Sequence, residues 1–231
     1  MAISAVVFDW YATLAKPNPD DFWTRLADEI ADAGGHPRPD VLAAWEVEHP
    51  VEHTHHSTDE ATYRAWQRSR LDEVFAACGL DGPARAGLLD HIDGQRYTRE
   101  YDVFPDVRPT LVELRRRGLA TGLCSNWDWD LDRHLGRTEI ADLFDVVVCS
   151  AQHGSRKPHA SIFATVLDGV GAAPEDVLFV GDSWPDDVTG ARAAGLRPVH
   201  VVRTGADGCA IGEHDGVPCV STIADVLRLL D

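Results

Sequence analysis

Five short runs of apolar residues constrain the fold more than any other feature of this chain. The runs lie at about residues 4–9, 118–124, 144–149, 177–181 and 197–202. They lack polar alternation, as is typical of strands buried on both faces of a parallel sheet. Segments with helical spacing, such as Pro109–Arg117 and Pro158–Val170, lie next to the later runs and carry proline in their first turn. This order predicts an α/β fold with a doubly wound parallel sheet.

The interval from about residue 16 to residue 100 contains no strand-like run. Helical segments follow one another there, at about 21–33, 39–47, 59–78 and 84–97. We therefore expect an α/β core formed by residues 1–15 and 101–231 and a helical insertion, or cap, formed by residues 16–100. The insertion interrupts the sheet after its first strand, at the carboxyl end where such sheets bind ligands, so we expect it to act as a lid.

The charge and the cysteines of the chain limit its partners and its compartment. Its 231 residues include 21 Lys and Arg against 38 Asp and Glu, which gives a formal net charge of −17. This charge repels phosphate backbones and anionic lipids, so we expect no nucleic acid and no membrane as a partner. Any small anionic substrate would need a local cation to hold it.

Five scattered cysteines without a CxxC pair argue against a disulfide framework, and the first residues do not resemble a signal peptide. We expect a cytoplasmic protein, either a monomer or a homodimer.

Polar residues follow the first three runs. Asp9 ends the first run, and the hydroxyl of Thr13 follows four residues later. Ser125 and Asn126 follow the second run, where a hydroxyl and a backbone N–H can hold an anionic oxygen. Lys157 follows the third at the entry to a predicted helix, where the helix dipole disfavours a cation, so we expect an anionic partner for it. Taken singly, each could equally be a turn residue, a helix cap or a solvated lysine.

The fourth run ends in a cluster of carboxylates. Asp182 follows the run directly, and Asp186 and Asp187 lie on the next turn. Carboxylates so close together repel each other, and a hard cation with oxygen ligands relieves the repulsion. The three charges of Asp9, Asp182 and Asp187 against the one of Lys157 leave −2, which one Mg²⁺ ion would neutralise. Asp186 is also typical of a first helical turn.

In these four features together, the chain resembles the haloacid dehalogenase superfamily. The resemblance covers the whole chain, since the helical interval lies where capped members carry their insertion. It implies that Asp9 is a nucleophile that forms a covalent aspartyl intermediate, with Thr13 in the same catalytic motif. In the phosphatases of the family, Ser125 and Lys157 would bind the phosphoryl oxygens. The Mg²⁺ ligands implied by the resemblance are Asp9, the backbone carbonyl of Tyr11, Asp182 and, directly or through water, Asp187.

Tyr11 departs from the pattern of the family's phosphatases, which have an acid/base Asp two residues after the nucleophile. A phenol, with an ordinary pKa of about 10, is a poor base at neutral pH, so roughly 10²- to 10⁴-fold of rate would be missing unless Tyr11 takes part itself. An aromatic residue at this position resembles the 2-haloacid dehalogenases, whose leaving halide needs no proton. The alternative reaction is therefore carbon–halogen cleavage.

Other residues oppose a dehalogenase. Asp182 and Asp187 are present where the metal-free dehalogenases carry Ser and Asn, and Phe163 stands in place of their Tyr. The Arg that would bind a substrate carboxylate is not evident in residues 44–48. The sequence thus favours a Mg²⁺-dependent phosphatase for a small monoester, with a dehalogenase or a phosphate-binding protein of little turnover as the alternatives.

Aromatic and histidine residues lie beside these motifs. Trp10, Trp127 and Trp184 indicate either packing between cap and core or an apolar wall that binds the substrate. We include Trp10 and Trp127, with Ser125 and Asn126, among the expected substrate contacts. The histidine-rich residues 49–56 favour a solvated loop over a metal site, because no helical His pair with a general base accompanies them.

Overall fold

The computed structural model describes residues 2–18, 22–47, 49–95, 99–203 and 212–230. The chain forms two compact units. Unit 1 comprises Met1–Lys16, Val51–Thr54 and Tyr101–Asp231, and unit 2 comprises Pro17–Pro50 and His55–Glu100. None of the described helices combines the length and the apolar character that crossing a bilayer requires.

Nine strands form two sheets among the described residues. They are β1 (Ala5–Phe8), β2 (Ala15–Asn18), β3 (Glu100–Val103), β4 (Ala120–Ser125), β5 (Val146–Cys149), β6 (Val177–Gly181), β7 (Arg197–Val201), β8 (Gly212–His214) and β9 (Val217–Val220). Seven strands form one sheet in the order β5-β4-β1-β6-β7-β9-β8, parallel except for β8, which runs antiparallel to β9. This sheet confirms the predicted α/β fold. The sequence pattern does not predict β8 and β9, nor β2 and β3, which pair as a separate two-stranded sheet.

The helices divide between the two units. Unit 2 contains α1 (Phe22–Asp32), α2 (Pro39–Val47), α3 (Glu60–Ala77) and α4 (Gly82–Gln95). Unit 1 contains α5 (Val107–Arg116), α6 (Leu131–Leu135), α7 (Ser150–His153), α8 (Ala160–Val170) and α9 (Gly190–Ala193). The C-terminal segment Ile223–Leu229 forms a 3₁₀ helix.

The central strand β1 is buried on both faces. Ala5 and Val7 pack in one cluster with Ile162 and Val166 of α8. Because alternate side chains of a strand point to opposite faces, the equally buried Phe8 faces the other layer. A charged side chain can therefore be accommodated only at the end of this strand, and Asp9 is the residue that follows it.

Unit 2 has a hydrophobic core of its own. Helix α3 contacts both α2 and α4. The buried residues of this core come from α1 to α4 and the adjacent turns: Leu26, Ile30, Leu42, Leu71, Val74, Phe75, Cys78, Leu80, Leu88, Leu89 and Ile92. The apolar faces of these helices are thus covered within the unit.

The cysteines form no network of bridges. Cys78, Cys124 and Cys149 are buried free thiols, and Cys219 is disulfide-bonded. Since three of the five cysteines are free thiols, the remaining two can form at most one intrachain disulfide.

Candidate active site

Four neighbouring strands place the predicted site residues at one edge of the sheet. Strand β1 lies between β4 and β6, and β4 also pairs with β5. Asp9 follows β1, Ser125 ends β4, and Asp182 follows β6. Parallel strands all end at the same edge, so these side chains converge although they are far apart in sequence.

Lys157 lies between two carboxylates. Its Nζ is 2.7 Å from Oδ1 of Asp9 and 2.6 Å from Oδ1 of Asp187. The lysine side chain is only 1% exposed, and those of Asp9 and Asp187 are 8% and 2% exposed. Burial alone would lower the pKa of Lys157, but the charges of Asp187 and Asp9 outweigh it and raise that pKa. The lysine is therefore a fixed cation at the carboxyl edge of the sheet.

Two hydroxyls donate to the same group of carboxylates. Oγ of Ser125 donates to Oδ1 of Asp9 at 3.0 Å, and Oγ1 of Thr13 donates to Oδ1 of Asp182 at 3.3 Å. Because Lys157 and Ser125 both bind Oδ1 of Asp9, the orientation of this carboxylate is set from two sides.

Three carboxylates lie close enough to share a cation. One oxygen from each of Asp9, Asp182 and Asp187 lies within 4.8 Å of the others. Burial, opposed by Lys157, raises the pKa of Asp9 to about 6. Burial and the neighbouring charges of Asp9 and Asp187 raise the pKa of Asp182 to about 7. Oxygen ligands with an excess of negative charge are the donor set that Mg²⁺ prefers, so the residues present fit this ion.

The turn after Asp9 is tight and strained. The carbonyl of Trp10 accepts hydrogen bonds from the backbone N–H groups of Leu14 and Ala15, at 2.9 and 3.0 Å. Ala12 has a φ of 56°, in the left-handed region that costs a non-glycine residue about 1 kcal/mol or more. Strain of this kind persists only where surrounding contacts hold it, and here those contacts fix the segment from Asp9 to Thr13.

Asn126 binds the backbone of Lys157. Its Oδ1 accepts from the N–H of Lys157 at 2.7 Å, and its Nδ2 donates to the carbonyl of Lys157 at 3.1 Å and to Oδ2 of Asp186 at 3.3 Å. Both ends of the amide are thus engaged with protein groups. Asn126 thus positions the backbone of Lys157, a role that the sequence does not predict.

The tryptophans beside the motifs differ in exposure. Trp10 is fully buried, so we leave it out of the proposed substrate surface. Trp127 is half-buried, with its ring centroid 6.3 Å from that of Tyr11 and 5.2 Å from that of Tyr101. The Tyr11 side chain is 43% exposed. Trp184 packs against the ring of His200.

The residues Val51–Thr54 form part of unit 1, a feature that the sequence does not predict. His53 is buried, its Nε2 lies 3.0 Å from the carbonyl oxygen of Ser150, and its backbone N–H donates to the carbonyl of Gly154 at 2.8 Å. The N–H of Arg156 donates to the carbonyl of Val51 at 2.9 Å. The expectation of a solvated histidine loop is therefore wrong at His53, because this segment pairs with the loop that leads into Lys157.

His200 is a second site neighbour that the sequence analysis missed. Its Nε2 lies 2.8 Å from the backbone carbonyl oxygen of Asp182, and it is buried. His200 belongs to β7, the strand next to β6. The other site residues were identified as polar side chains near the carboxyl ends of predicted strands. The same rule applied to the fifth apolar run could have identified His200.

Comparisons with known proteins show similarity over most of the chain. A sequence model of the haloacid dehalogenase-like hydrolases matches residues 3–195. A protein from Mycobacterium tuberculosis named "Phosphatase MT3486" is 30% identical over 208 residues, which cover 89% of this chain and 90% of that protein. The phosphoserine phosphatase of Thermus thermophilus is 41% identical over 109 residues, but the match covers only 47% of this chain and 44% of the relative.

Solved structures share the fold over nearly the whole chain. A HAD phosphatase from Thermococcus onnurineus superposes with a TM-score of 0.66 at 23% identity, covering 99% of this chain and 98% of the other. A 2-haloacid dehalogenase from Pseudomonas syringae superposes with a TM-score of 0.69 at 24% identity and the same coverage. At these identities the superpositions establish the fold alone, whereas the match over residues 3–195 establishes the family. The chain belongs to the haloacid dehalogenase-like hydrolases.

Proposed function

We propose that this protein is a Mg²⁺-dependent phosphatase that hydrolyses a small phosphate monoester through an aspartyl-phosphate on Asp9. The observation that carries the proposal is a group of three carboxylates that lie within 4.8 Å of one another, the buried Asp9 and Asp187 and the half-buried Asp182. The buried Lys157 pairs with Asp9 and Asp187. A carbon–halogen hydrolase would have no use for so much negative charge beside its nucleophile. The phosphatase name of the relative that matches along most of its length supports the same reaction.

In the proposed first step, a carboxylate oxygen of Asp9 attacks the phosphorus. A new P–O bond forms to Asp9, the ester P–O bond breaks, and the alcohol oxygen leaves with the bonding electron pair and takes up a proton. Lys157 and the hydroxyl of Ser125 already hold Oδ1 of Asp9, which leaves its second oxygen outside these bonds for the attack. The fixed orientation of the nucleophile lowers the entropic cost of reaching the transition state.

In the proposed second step, water attacks the phosphorus of the aspartyl-phosphate. The P–O bond to Asp9 breaks, inorganic phosphate leaves, and the carboxylate is restored with the loss of one proton. Lys157 and Ser125 provide positive charge and a hydroxyl donor at the position where the phosphoryl oxygens would lie. Asp9, Asp182, Asp187 and the backbone carbonyl of Tyr11 would hold Mg²⁺, which when bound offsets the negative charge of the carboxylates and of the phosphoryl group.

Tyr11 shapes the substrate preference in this proposal. Since no carboxylate stands two residues after Asp9, proton donation to the leaving oxygen is weak. Esters whose alcohols leave readily as anions should therefore react fastest. The exposed ring of Tyr11 and the half-buried ring of Trp127 offer an apolar surface on which a flat leaving group could pack.

We also propose that the helices of unit 2 serve as a cap, with residues 1–15 and 101–231 as the catalytic core. The position of the insertion supports this role. It follows the turn after Asp9, so the two ends of the helical unit connect to the segment that carries the nucleophile and to the start of β3. A cap of this kind would restrict the substrate to a small molecule and exclude water.

The decisive experiment measures phosphate release from a panel of phosphate monoesters with Mg²⁺ or with EDTA. We expect release that EDTA abolishes and that Asp9→Asn lowers by at least about 10³-fold, because the variant keeps the shape of the side chain but loses the nucleophile. Asp142→Asn, which alters an exposed carboxylate, is the matched control and should keep full activity. Turnover that survives Asp9→Asn would refute the proposal.

A second reaction has one observation in its favour, the aromatic side chain at Tyr11. The same assay with 2-chloropropionate and EDTA tests it. Chloride release without metal, together with no phosphate release from any ester, would identify a 2-haloacid dehalogenase instead. Mg²⁺ binding with neither product would identify a phosphate-binding protein of little turnover.

A further inference from the structure

Arg203, which follows β7, makes a partly buried network of hydrogen bonds with Asp106 and Thr13. Its Nη1 lies 2.8 Å from both carboxylate oxygens of Asp106. Its Nε and Nη2 donate to the backbone carbonyl of Thr13, at 3.0 and 2.5 Å. The guanidinium side chain is 9% exposed, and its Cζ lies 4.1 Å from the ring centroid of Phe104.

This network joins three segments that are far apart in sequence. Asp106, which Arg203 binds, also accepts the backbone N–H of Ile223 at 2.8 Å, and the N–H of Phe104 donates to the carbonyl of Leu14 at 3.0 Å. The start of α5, the C-terminal 3₁₀ helix and the turn after β1 are therefore held by one cation. Since its charge is paired with Asp106, Arg203 does not reduce the negative charge of the three site carboxylates.

We propose that Arg203 is a positioning residue for the metal site and acts through Thr13. Two guanidinium N–H groups fix the carbonyl of Thr13, and the hydroxyl of the same fully buried residue donates to Oδ1 of Asp182. The contact thus turns the Asp182 carboxylate toward those of Asp9 and Asp187. This inference rests on the proposed function, since it assumes that these carboxylates hold Mg²⁺.

The geometry requires arginine. The guanidinium has a rigid planar fork of donors, and here one side of the fork binds Asp106 while the other binds the carbonyl of Thr13. A lysine in the same place can keep the charge pair with Asp106 but has no second fixed set of donors for Thr13. Arg203→Lys therefore separates the charge of Arg203 from its positioning role.

Isothermal titration calorimetry with MgCl₂ on the purified protein tests the inference without any need for turnover. We expect Arg203→Lys to weaken Mg²⁺ binding by about 10-fold, the effect typical of groups that orient metal ligands. Thr13→Val, which removes the hydroxyl and keeps the shape, should weaken it comparably. In the Thr13→Val background, Arg203→Lys should add less than about 2-fold, because both changes interrupt the same path.

Arg192→Lys is the matched control, because Arg192 also binds a carboxylate and a backbone carbonyl, both of Asp215, but is exposed. It should leave Mg²⁺ binding unchanged.

If circular dichroism shows that Arg203→Lys does not fold, Asp106→Asn is used in its place, since this variant loosens the other side of the guanidinium fork. A wild-type protein that takes up no Mg²⁺ refutes the proposed function and this inference together. Two outcomes would refute this inference alone, provided that the wild-type protein binds Mg²⁺. In the first, Arg203→Lys leaves the Mg²⁺ affinity unchanged. In the second, Arg203→Lys weakens Mg²⁺ binding equally in the wild-type and Thr13→Val backgrounds.

Discussion

Tyr11 is the residue at which the chemistry of this chain departs most from the phosphatases it resembles. Its ring is exposed, and in the proposed reaction it takes the sequence position of the acid/base carboxylate. We expect Tyr11→Asp to raise the kcat for alkyl phosphates on the order of 10²-fold, because general acid catalysis then becomes available. Esters with good leaving groups should gain much less. Phosphate release measured across leaving groups of rising pKa checks this.

Tyr11→Phe is the control for that prediction. It keeps the ring and removes only the hydroxyl, so it should change the kcat little if the phenol takes no part in proton transfer. A large loss in Tyr11→Phe, or no gain in Tyr11→Asp, would show that Tyr11 itself supplies the acid.

The titration of the site carboxylates predicts a pH-dependent response to Mg²⁺. The pKa values of Asp9 and Asp182 rise from 3.8 to about 6 and about 7 in the metal-free fold. Between these values the folded state binds more protons than the unfolded state, so metal-free stability falls as the pH rises from about 4 to about 7. At the proposed metal site, Mg²⁺ would compete with the same protons. The rise in Tm on adding Mg²⁺ should therefore be larger at pH 7.5 than at pH 5.

Differential scanning fluorimetry at the two pH values, with EDTA as the reference, measures this difference. Asp182→Asn should reduce it, and the exposed Asp142→Asn should not. An equal Mg²⁺ shift at both pH values would contradict the raised pKa values.

The pattern of strand ends made some site residues predictable and left others hidden. Asp9, Ser125 and Asp182 follow buried strands, so the sheet topology alone places them together. Contacts made by loops do not have this property. No periodic signal in the sequence predicts that His53 packs against the loop that leads into Lys157, or that Arg203 binds the carbonyl of Thr13. Both contacts depend on how loops that are distant in sequence pack together.

At the scale of secondary structure, helix α8 shows how closely the elements are packed. A Cβ at Gly169 would lie 2.4 Å from Cγ2 of Val146 on β5. Gly169→Ala should therefore destabilise the protein by about 1–3 kcal/mol through overpacking, despite the higher helix propensity of alanine. Urea unfolding monitored by circular dichroism measures the change.

Gly87 in α4 is the matched control for that substitution. Its Cβ position meets no atom within 4 Å, and the residue is exposed. Gly87→Ala should stabilise by about 0.5–1 kcal/mol. Stabilisation by both substitutions would show that the contact with Val146 relaxes without cost.

Strands were predictable where an apolar run marks them in the sequence and not elsewhere. Strands β1, β4, β5, β6 and β7 coincide with the apolar runs, whereas β2 and β8 contain the segments Ala-Lys-Pro-Asn and Gly-Glu-His. Such polar segments become strands only through pairing with a neighbour, and that pairing is a tertiary contact. Helix α3 needed no such context because Asp59 caps it, accepting the N–H of Thr62 at 2.8 Å.

For the molecule as a whole, the net charge of −17 should repel the proposed substrate before it reaches Lys157. Added salt screens this long-range repulsion, with a Debye length of about 10 Å at 0.1 M. We expect kcat/KM for a phosphate monoester to rise roughly 2- to 5-fold from about 10 to about 150 mM KCl at saturating Mg²⁺. Initial rates at low substrate concentration measure it. A steep fall with salt would mean that local cations, not the overall charge, govern association.

The central position of β1 has a consequence for how the chain folds during synthesis. Ala5 pairs with both Ala120 and Val177, so β1 leaves the ribosome well before the two strands with which it pairs. Unit 2 emerges in between and has a core of its own, so its helices can assemble while β1 is still unpaired. A nascent chain that stops before β6 leaves an apolar strand edge open to aggregation or to chaperone capture.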